Sequence, residues 1–303
     1  MKKPRLKSVV LPDGSRLFCL HRDEVRGVRA QAQGYFAHGL EIRAGDVVFD
    51  VGANIGLFAL EAARKGASVH AFEPMSATFA ALRANAKRFN FGGHHETQKG
   101  SDAENSDAGN SGFESNLENG CIEVLQLALG ARAELATFTY FRYLSTLSTR
   151  FPIQTAQNAR AGVSSVFDNA ALTPRAGWFR AAPLWVRRAF LTALTRILFE
   201  SRVETCRVET VSMRLRKMGD SRIDLLKIDV EGAEMEVLQG IEADDWPKIA
   251  QVVAEIHDEN GRLNAIQELL KRHGLSEIHA EKEPDAGQFE IYLLWARRPS
   301  DSL

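Results

Sequence analysis

The chain is poor in cysteine, has no long uncharged apolar run and carries almost no net charge. Its 303 residues include 3 cysteines, far apart at Cys19, Cys121 and Cys206. An odd number without close spacing fits neither a disulfide framework nor a CxxC metal site, and it indicates reduced thiols. The formal net charge of -1 gives no basic field over the whole protein, and therefore no support for binding to nucleic acid.

The N-terminus shows no pattern for secretion. Basic residues precede an apolar run of only three residues, Val9 to Leu11, which is too short for a signal peptide. With 45% apolar and 25% charged residues, the composition is that of an ordinary globular protein. We therefore expect a cytoplasmic protein with one large α/β core or two small ones.

The order of apolar runs predicts a doubly wound α/β fold. Residues 47–51 form a short apolar run, typical of a parallel strand buried on both faces, and a glycine loop leads from it into a helix over 57–65. A second strand and helix follow, and two βα units in succession predict a mostly parallel sheet. Further strands are predicted over 121–127, 135–141, 208–213 (continuing the sheet), 223–230, 251–256 and 289–295, and further helices over 232–240 and 262–272.

Two segments interrupt this pattern. Residues 92–120 contain hardly an apolar side chain, so they cannot offset their ordering entropy by burial and are predicted to be a disordered surface insertion. Residues 143–205 are predicted to be a helical, lid-like insertion. The predicted organisation is an N-terminal segment over 1–45, packed on the core, and a single domain over 46–303 that carries both insertions.

The most unusual stretch lies over 178–199. Its apolar residues recur at helical spacing, and its arginines exclude a transmembrane span. We expect this amphipathic helix to pack on the domain, with contact to an anionic membrane surface as the alternative.

The sharpest local signal is the loop after the first strand. Gly52 and Gly56 let the backbone approach a ligand closely, and the start of the following helix offers free N–H groups. The dinucleotide fingerprint GxGxxG would require glycine where this chain has Asn54 and Leu57. The loop therefore favours a nucleotide-like ligand other than NAD.

Two carboxylates near this loop suit a cationic nucleoside. Asp50 would attract the ammonium and sulfonium of S-adenosylmethionine, whereas it would repel a pyrophosphate. Glu73, at the end of the next strand, can accept hydrogen bonds from both ribose hydroxyls. The alternative is a tight βα turn with these two acids as helix caps.

On several separated motifs, the sequence resembles the FkbM family of methyltransferases. These motifs are VVFDVGANIG at 47–56, HAFEP at 70–74, ALG at 128–130, DLLKIDVEGAE at 224–234, VLQG at 237–240 and VVAEIH at 252–257. The resemblance implies a Rossmann-like class I methyltransferase fold with an antiparallel C-terminal strand, and S-adenosylmethionine as the methyl donor. It also implies O-methylation of a hydroxyl on a small molecule or sugar. The residues predicted to bind the cofactor are Asp50, Gly52, Asn54, Gly56, Glu73 and Ala128.

The carboxyl ends of the later strands carry the candidate catalytic residues. His257 is the first choice for the base that takes the acceptor proton, because its unperturbed pKa lies near neutrality. Asp229 is the second choice, acting directly or by holding a divalent cation, and Glu231 lies at the same strand end. The alternative for Asp229 is an ion pair with Lys227 or a place as a helix N-terminal acid, with Glu231 only complementing the helix dipole. We predict no dedicated metal site, and Asp229 is the residue that would hold a divalent metal if one acts.

Three functions compete at this level. The leading prediction is an S-adenosylmethionine-dependent O-methyltransferase whose partner is a small-molecule, glycan or lipid hydroxyl acceptor. The alternative is a non-catalytic methyltransferase-like module that interacts through the helix within 143–205. Methylation of nucleic acid ranks last, because the sequence has no aromatic-flanked Asn/Asp-Pro-Pro-Tyr-type base pocket.

Overall fold

A computed structural model describes residues 4–92, 120–141, 182–198, 200–219, 222–283 and 289–299. The strands in the described residues are β1 Lys7–Val10, β2 Arg16–Cys19, β3 Val47–Val51, β4 Ser68–Phe72, β5 Cys121–Leu125, β6 Ala128–Leu129, β7 Glu134–Phe141, β8 Ser201–Glu209, β9 Leu225–Ile228, β10 Gln251–His257, β11 Glu277–Lys282 and β12 Ile291–Arg297. The α-helices there are α1 Glu24–Gly34, α2 Leu57–Arg64, α3 Ser76–Gly92, α4 Leu184–Leu198, α5 Val211–Lys217, α6 Glu234–Gln239 and α7 Arg262–Arg272.

The central sheet has seven strands in the order β11-β12-β10-β9-β3-β4-β5. The five strands from β10 to β5 pair in parallel, whereas β12 pairs antiparallel with both of its neighbours. The mostly parallel sheet with an antiparallel C-terminal strand is therefore confirmed. From β3 the chain adds β4 and β5 on one side of the sheet, and later β9 and β10 on the other. The order of the strands therefore reverses at the β3–β9 boundary, where open α/β sheets bind ligands.

Helices cover both faces of this sheet. Successive strand residues point to opposite faces, so Val48 packs in the layer with α1, α2 and α3, while Phe49 packs in the layer with α5, α6 and α7. Both side chains are fully buried. The fold is thus doubly wound, as predicted, and its parallel strands are apolar on both faces.

A second, three-stranded sheet has the order β6-β8-β7. The predicted strand over 208–213 is wrong in its extent and in its sheet, because β8 ends at Glu209 and belongs to this small sheet. Thr210 stops the strand by capping α5, and its side-chain oxygen accepts a hydrogen bond from the Met213 N–H at 3.0 Å. The β-branched residues around Thr210 favour a strand, so the sequence pattern did not show that α5 begins here.

The N-terminal residues form a hairpin followed by a helix. β1 and β2 pair antiparallel, and α1 follows them. The sequence pattern missed α1 because only Val25 and Ala32 of its 11 residues are buried, too thin a stripe to detect. The edge strand β11 was missed as well, since most of its side chains are exposed and its pairing with β12 holds it in place. The division at residue 45 stays a prediction.

The two predicted insertions lie largely outside the described residues. The disorder of 92–120 and the lid role of 143–205 are therefore still predictions, as is membrane-surface contact through 178–199. Within the latter, α4 confirms a helix, with Trp185 73% and Ile197 58% exposed. Among the described helices, none has the length and apolar character needed to cross a bilayer.

The buried Asn85 on α3 ties the N-terminal hairpin to the loop after β3. Its side-chain Oδ1 accepts from the Phe18 N–H at 2.7 Å, and its Nδ2 donates to the carbonyls of Phe18 and Ile55 at 2.9 and 2.8 Å. Replacing Asn85 with leucine would leave these backbone groups buried without partners.

We expect Asn85→Leu to lower the free energy of unfolding by about 2–4 kcal/mol, because buried unsatisfied groups each cost about 1–3 kcal/mol. Chemical denaturation measures this change. The exposed Lys87→Ala on the same helix is the control, and we expect a change below about 0.5 kcal/mol. Equal stability of the two variants would contradict the prediction.

Candidate active site

A cavity opens at the carboxyl ends of β3, β4 and β9, with about 870 Å³ of empty space that includes open solvent. It combines a polar wall with an apolar wall, as small-molecule sites do. Polar lining residues include Gln31, Asn54, Glu73, Asp229, Glu231 and Glu236. Apolar lining residues include Phe72, Ala128, Leu129, Phe138 and Val208. The small sheet supplies much of the apolar wall, so both sheets build the cavity.

Gly52 allows the ends of β3 and β9 to meet. A Cβ atom at Gly52 would lie 1.7 Å from the carbonyl oxygen of Asp229, and the backbone φ of 77° is one that favours glycine. Asn54 also has a left-handed φ, of 51°, and lines the cavity. Gly52 is therefore required where the two strand ends meet, and close approach of the loop backbone to a ligand stays a prediction.

Glu73 is held at the cavity wall by backbone donors. Its Oε2 accepts from the Asn54 N–H at 3.1 Å and its Oε1 from the Met75 N–H at 2.9 Å. Burial raises the pKa of Glu73 to about 8, although these two hydrogen bonds oppose the shift. Each carboxylate oxygen retains a lone pair, so the pair can accept from two neighbouring hydroxyls of a ligand.

Asp50 lies behind the loop and pairs with Lys227. The side chain is 0% exposed, and its Oδ1 is 2.9 Å from Lys227 Nζ. Lys227 also donates to the Gly52 carbonyl at 2.8 Å and lies 3.6 Å from Asp229 Oδ2. Burial raises the pKa of Asp50 in spite of the adjacent cation. The lysine expected beside Asp229 thus lies closer to Asp50, and direct contact of Asp50 with a cofactor stays a prediction.

The structure brings most of the predicted cofactor residues to one cavity. Gly52, Asn54, Glu73 and Ala128 line it. Gly56 instead heads α2 with a φ of 91° and is not among the described lining residues. Its contribution is to turn the chain into the helix beside the ligand space.

Of the three predicted catalytic residues, Asp229 and Glu231 line the cavity. They follow β9 directly, where the left-handed φ of 53° at Glu231 turns the chain toward α6. Burial raises the pKa of Glu231, and the adjacent His257 opposes this shift.

His257 lies behind Glu231, at the end of β10, and is not among the described lining residues. Its Nε2 is 3.3 Å from Glu231 Oε2 and its Nδ1 is 3.3 Å from Glu234 Oε1. Burial alone would lower the pKa of His257, but the two carboxylates outweigh it and hold that pKa well above the ordinary value. A histidine that keeps its proton at neutral pH suits the role of a countercharge better than that of a base. Its predicted role as the base has not been tested.

Sequence reasoning missed Gln31 and Tyr35, which form a hydrogen-bonded unit with Glu255 near these acids. Some 200 residues separate the first two from Asp229 and Glu255, so no local spacing could have joined them.

One group of side chains in the cavity region could ligate a metal. Ligand atoms of Glu231, Glu255 and His257 lie within 4.8 Å of one another. Asp229, the residue predicted to hold a cation, is outside this group. A second such group on the described surface consists of His38, His279 and Glu281. Metal dependence has not been tested.

Several known proteins are similar to this chain. The methyltransferase FkbM domain matches residues 50–277. Over 266 residues the chain is 35% identical to 31-O-demethyl-FK506 methyltransferase FkbM of Streptomyces tacrolimicus, covering 87% of this chain and 85% of that protein. Over 254 residues it is 25% identical to Methyltransferase 1 of Beauveria bassiana (strain ARSEF 2860), covering 83% and 80% of the two chains. The crystal structure of precorrin-6y C5,15-methyltransferase from Geobacter metallireducens GS-15 covers 90% of this chain and 88% of its own, with 12% identity and a TM-score of 0.39.

We expect Gly52→Ala to lower the free energy of unfolding by at least about 2–4 kcal/mol, because its Cβ would meet the Asp229 carbonyl and its φ would be strained. Thermal and chemical denaturation measure this change. Gly14→Ala is the matched control, since Gly14 has a similar φ of 80° but no atom within 4 Å of the added Cβ. A left-handed φ alone costs roughly 1–2 kcal/mol. If the free energy of unfolding fell by only this amount in both variants, the close approach at Gly52 would not contribute to stability.

Proposed function

The chain belongs to the methyltransferase FkbM family, and on that premise we propose that it transfers a methyl group from S-adenosylmethionine to a hydroxyl oxygen of a small molecule, sugar or lipid. The proposal rests on one observation above all. A single cavity has Glu73 at the end of β4 and Asp229 at the end of β9, so ligand binding and proton removal can share it. The relative named 31-O-demethyl-FK506 methyltransferase supports oxygen as the methylated atom. We also retain a cytoplasmic location as a prediction.

The residues around the loop fit the cofactor. Glu73 would accept from the two ribose hydroxyls, while Gly52, Asn54 and Ala128 would line the same pocket. When bound, S-adenosylmethionine supplies an electrophilic methyl group on a cationic sulfur. The protein's own part is to hold the acceptor in line and remove one proton.

Asp229 is our choice for the group that receives the acceptor proton. It lines the cavity, and its Oδ2 accepts from the Tyr35 hydroxyl at 3.0 Å. We assign its Oδ1 to the acceptor hydroxyl. Glu231 lines the same wall, and His257 behind it supplies positive charge. In this arrangement His257 orients Glu231 and offsets its charge, whereas Asp229 contacts the substrate.

The first test is calorimetric titration of the purified protein with S-adenosylmethionine, its demethylated product and NAD. We expect the first two to bind and NAD not to bind. A screen of hydroxyl acceptors with labelled methyl donor should then give an ether product, with Asp229→Asn at least about 100-fold slower. Binding of NAD alone would contradict the cofactor assignment, and binding without transfer to any acceptor would favour the non-catalytic module.

Glu73 should make cofactor binding depend on pH. Its pKa in the free protein is about 8, and hydroxyls that donate to it favour the ionised form, so binding drives off a proton. Affinity for the demethylated product should therefore rise as pH increases from 6.5 to 8, by up to about tenfold per unit, and level off above 8.

The matched variants for this pH experiment are Glu73→Gln and Glu61→Gln, the latter on the outer side of α2 in a salt bridge with Arg64. We expect Glu73→Gln to bind more weakly and to lose the part of the pH dependence that wild type and Glu61→Gln share. Measuring the heat in buffers of different ionisation enthalpy counts the released protons. Parallel pH profiles for all three proteins would refute this role of Glu73.

A further inference from the structure

Helix α1 reaches the cavity from outside the matched family domain. The match begins at residue 50, whereas α1 ends at Gly34. Gln31 of this helix lines the cavity, and Tyr35 directly after it is only 2% exposed. The N-terminal segment therefore contributes side chains to the site itself as well as packing against the core.

The Tyr35 hydroxyl lies between two carboxyl groups. It donates to Asp229 Oδ2 at 3.0 Å and lies 3.4 Å from Glu255 Oε2. Burial, and then the neighbouring charges of Asp229 and Glu255, raise the pKa of Tyr35 well above its ordinary value. The phenol thus keeps its single proton and acts only as a donor, and the shorter distance assigns that proton to Asp229.

Glu255 does not compete strongly for this donor. The side chain is 3% exposed, and the Gln31 amide already donates to its Oε2. Burial, with the charges of Asp229 and Glu231, raises the pKa of Glu255 well above the usual range. The raised pKa favours the protonated carboxyl, which is a weaker acceptor than a carboxylate.

We propose that Tyr35 is a positioning residue for methyl transfer, holding Asp229 Oδ2 so that Oδ1 is presented to the acceptor hydroxyl, and that Gln31 contributes to acceptor binding. This role rests on the proposed function. In the step, the acceptor oxygen forms the new O–CH₃ bond as the S–CH₃ bond breaks, the bonding pair stays on sulfur, and the hydroxyl proton passes to Asp229 Oδ1. A misplaced Asp229 would slow this step without weakening the cofactor contacts.

The packing of Tyr35 makes the role testable, because the ring is held independently of the hydroxyl. The ring meets Phe58 edge-on at 5.8 Å between centroids and lies 5.4 Å from Lys227 Nζ. The backbone oxygen of Tyr35 accepts from Trp295 Nε1 at 3.0 Å. Tyr35→Phe retains all three contacts and removes only the donor.

We expect Tyr35→Phe to lower kcat about 10- to 100-fold while the Kd for the demethylated product stays within about twofold of wild type. Tyr292→Phe is the matched control, because it removes a hydroxyl that bonds Glu290 on the surface, and its kcat should be unchanged. Gln31→Ala should raise the KM for the acceptor several-fold without changing the product Kd.

A double variant separates positioning from a general structural effect. If Tyr35 acts through Asp229, Tyr35→Phe added to Asp229→Asn should cost little beyond Asp229→Asn alone. Multiplicative losses, or a Tyr35→Phe kcat within twofold of wild type, would overturn the inference while leaving the proposed function intact. A wild type that binds product but methylates no hydroxyl would instead contradict the proposed function, and the role of Tyr35 with it.

Discussion

The structure depends on burying the ammonium group of Lys227 between β3 and β9. An unpaired charge at this depth would cost several kcal/mol, so Lys227 needs partners within contact distance. Asp50 supplies the countercharge at 2.9 Å, and the Gly52 carbonyl accepts from Nζ at 2.8 Å. One cation thereby holds together the end of β3, the loop that begins at Gly52 and the end of β9, where Asp229 lies. Asp50 is paired with this lysine, whereas Glu73 and Asp229 line the cavity.

The cost of burying an unpaired charge also explains how acids with different pKa values share one cavity. Among the described residues, only backbone N–H groups donate to Glu73, and burial raises its pKa to about 8. Glu231 pairs with His257, whereas burial raises the pKa of Glu255 and the Gln31 amide donates to its carboxyl group. Asp229 remains half-buried, with a fixed donor from Tyr35. Separating the environments of neighbouring carboxyls is a general way to assign binding and proton-transfer roles within one site.

Elements whose signals are local were predictable. The loop after β3 and the helices α2 and α7 follow from glycine placement and apolar periodicity within about ten residues. Elements whose stability comes from distant contacts were not. α1 buries a thin stripe, β11 is an exposed edge strand, and β8 was displaced in the prediction because Thr210 can equally continue a strand or cap a helix. Where a segment can form either a strand or a helix, tertiary packing decides which of the two forms.

The sequence by itself determined the fold class, the family and the position of Glu73 and Asp229 at the carboxyl ends of strands, because parallel strands place those ends at one edge of the sheet. Tertiary structure alone decided which acid faces the cavity and which pairs with another residue of the protein. Asp50 and Glu73 look alike in sequence, yet one pairs with Lys227 and the other does not. Likewise, only folding brings Tyr35 within 3.0 Å of Asp229. Charge pairing and desolvation depend on distances in space, and the order of residues along the chain does not specify them.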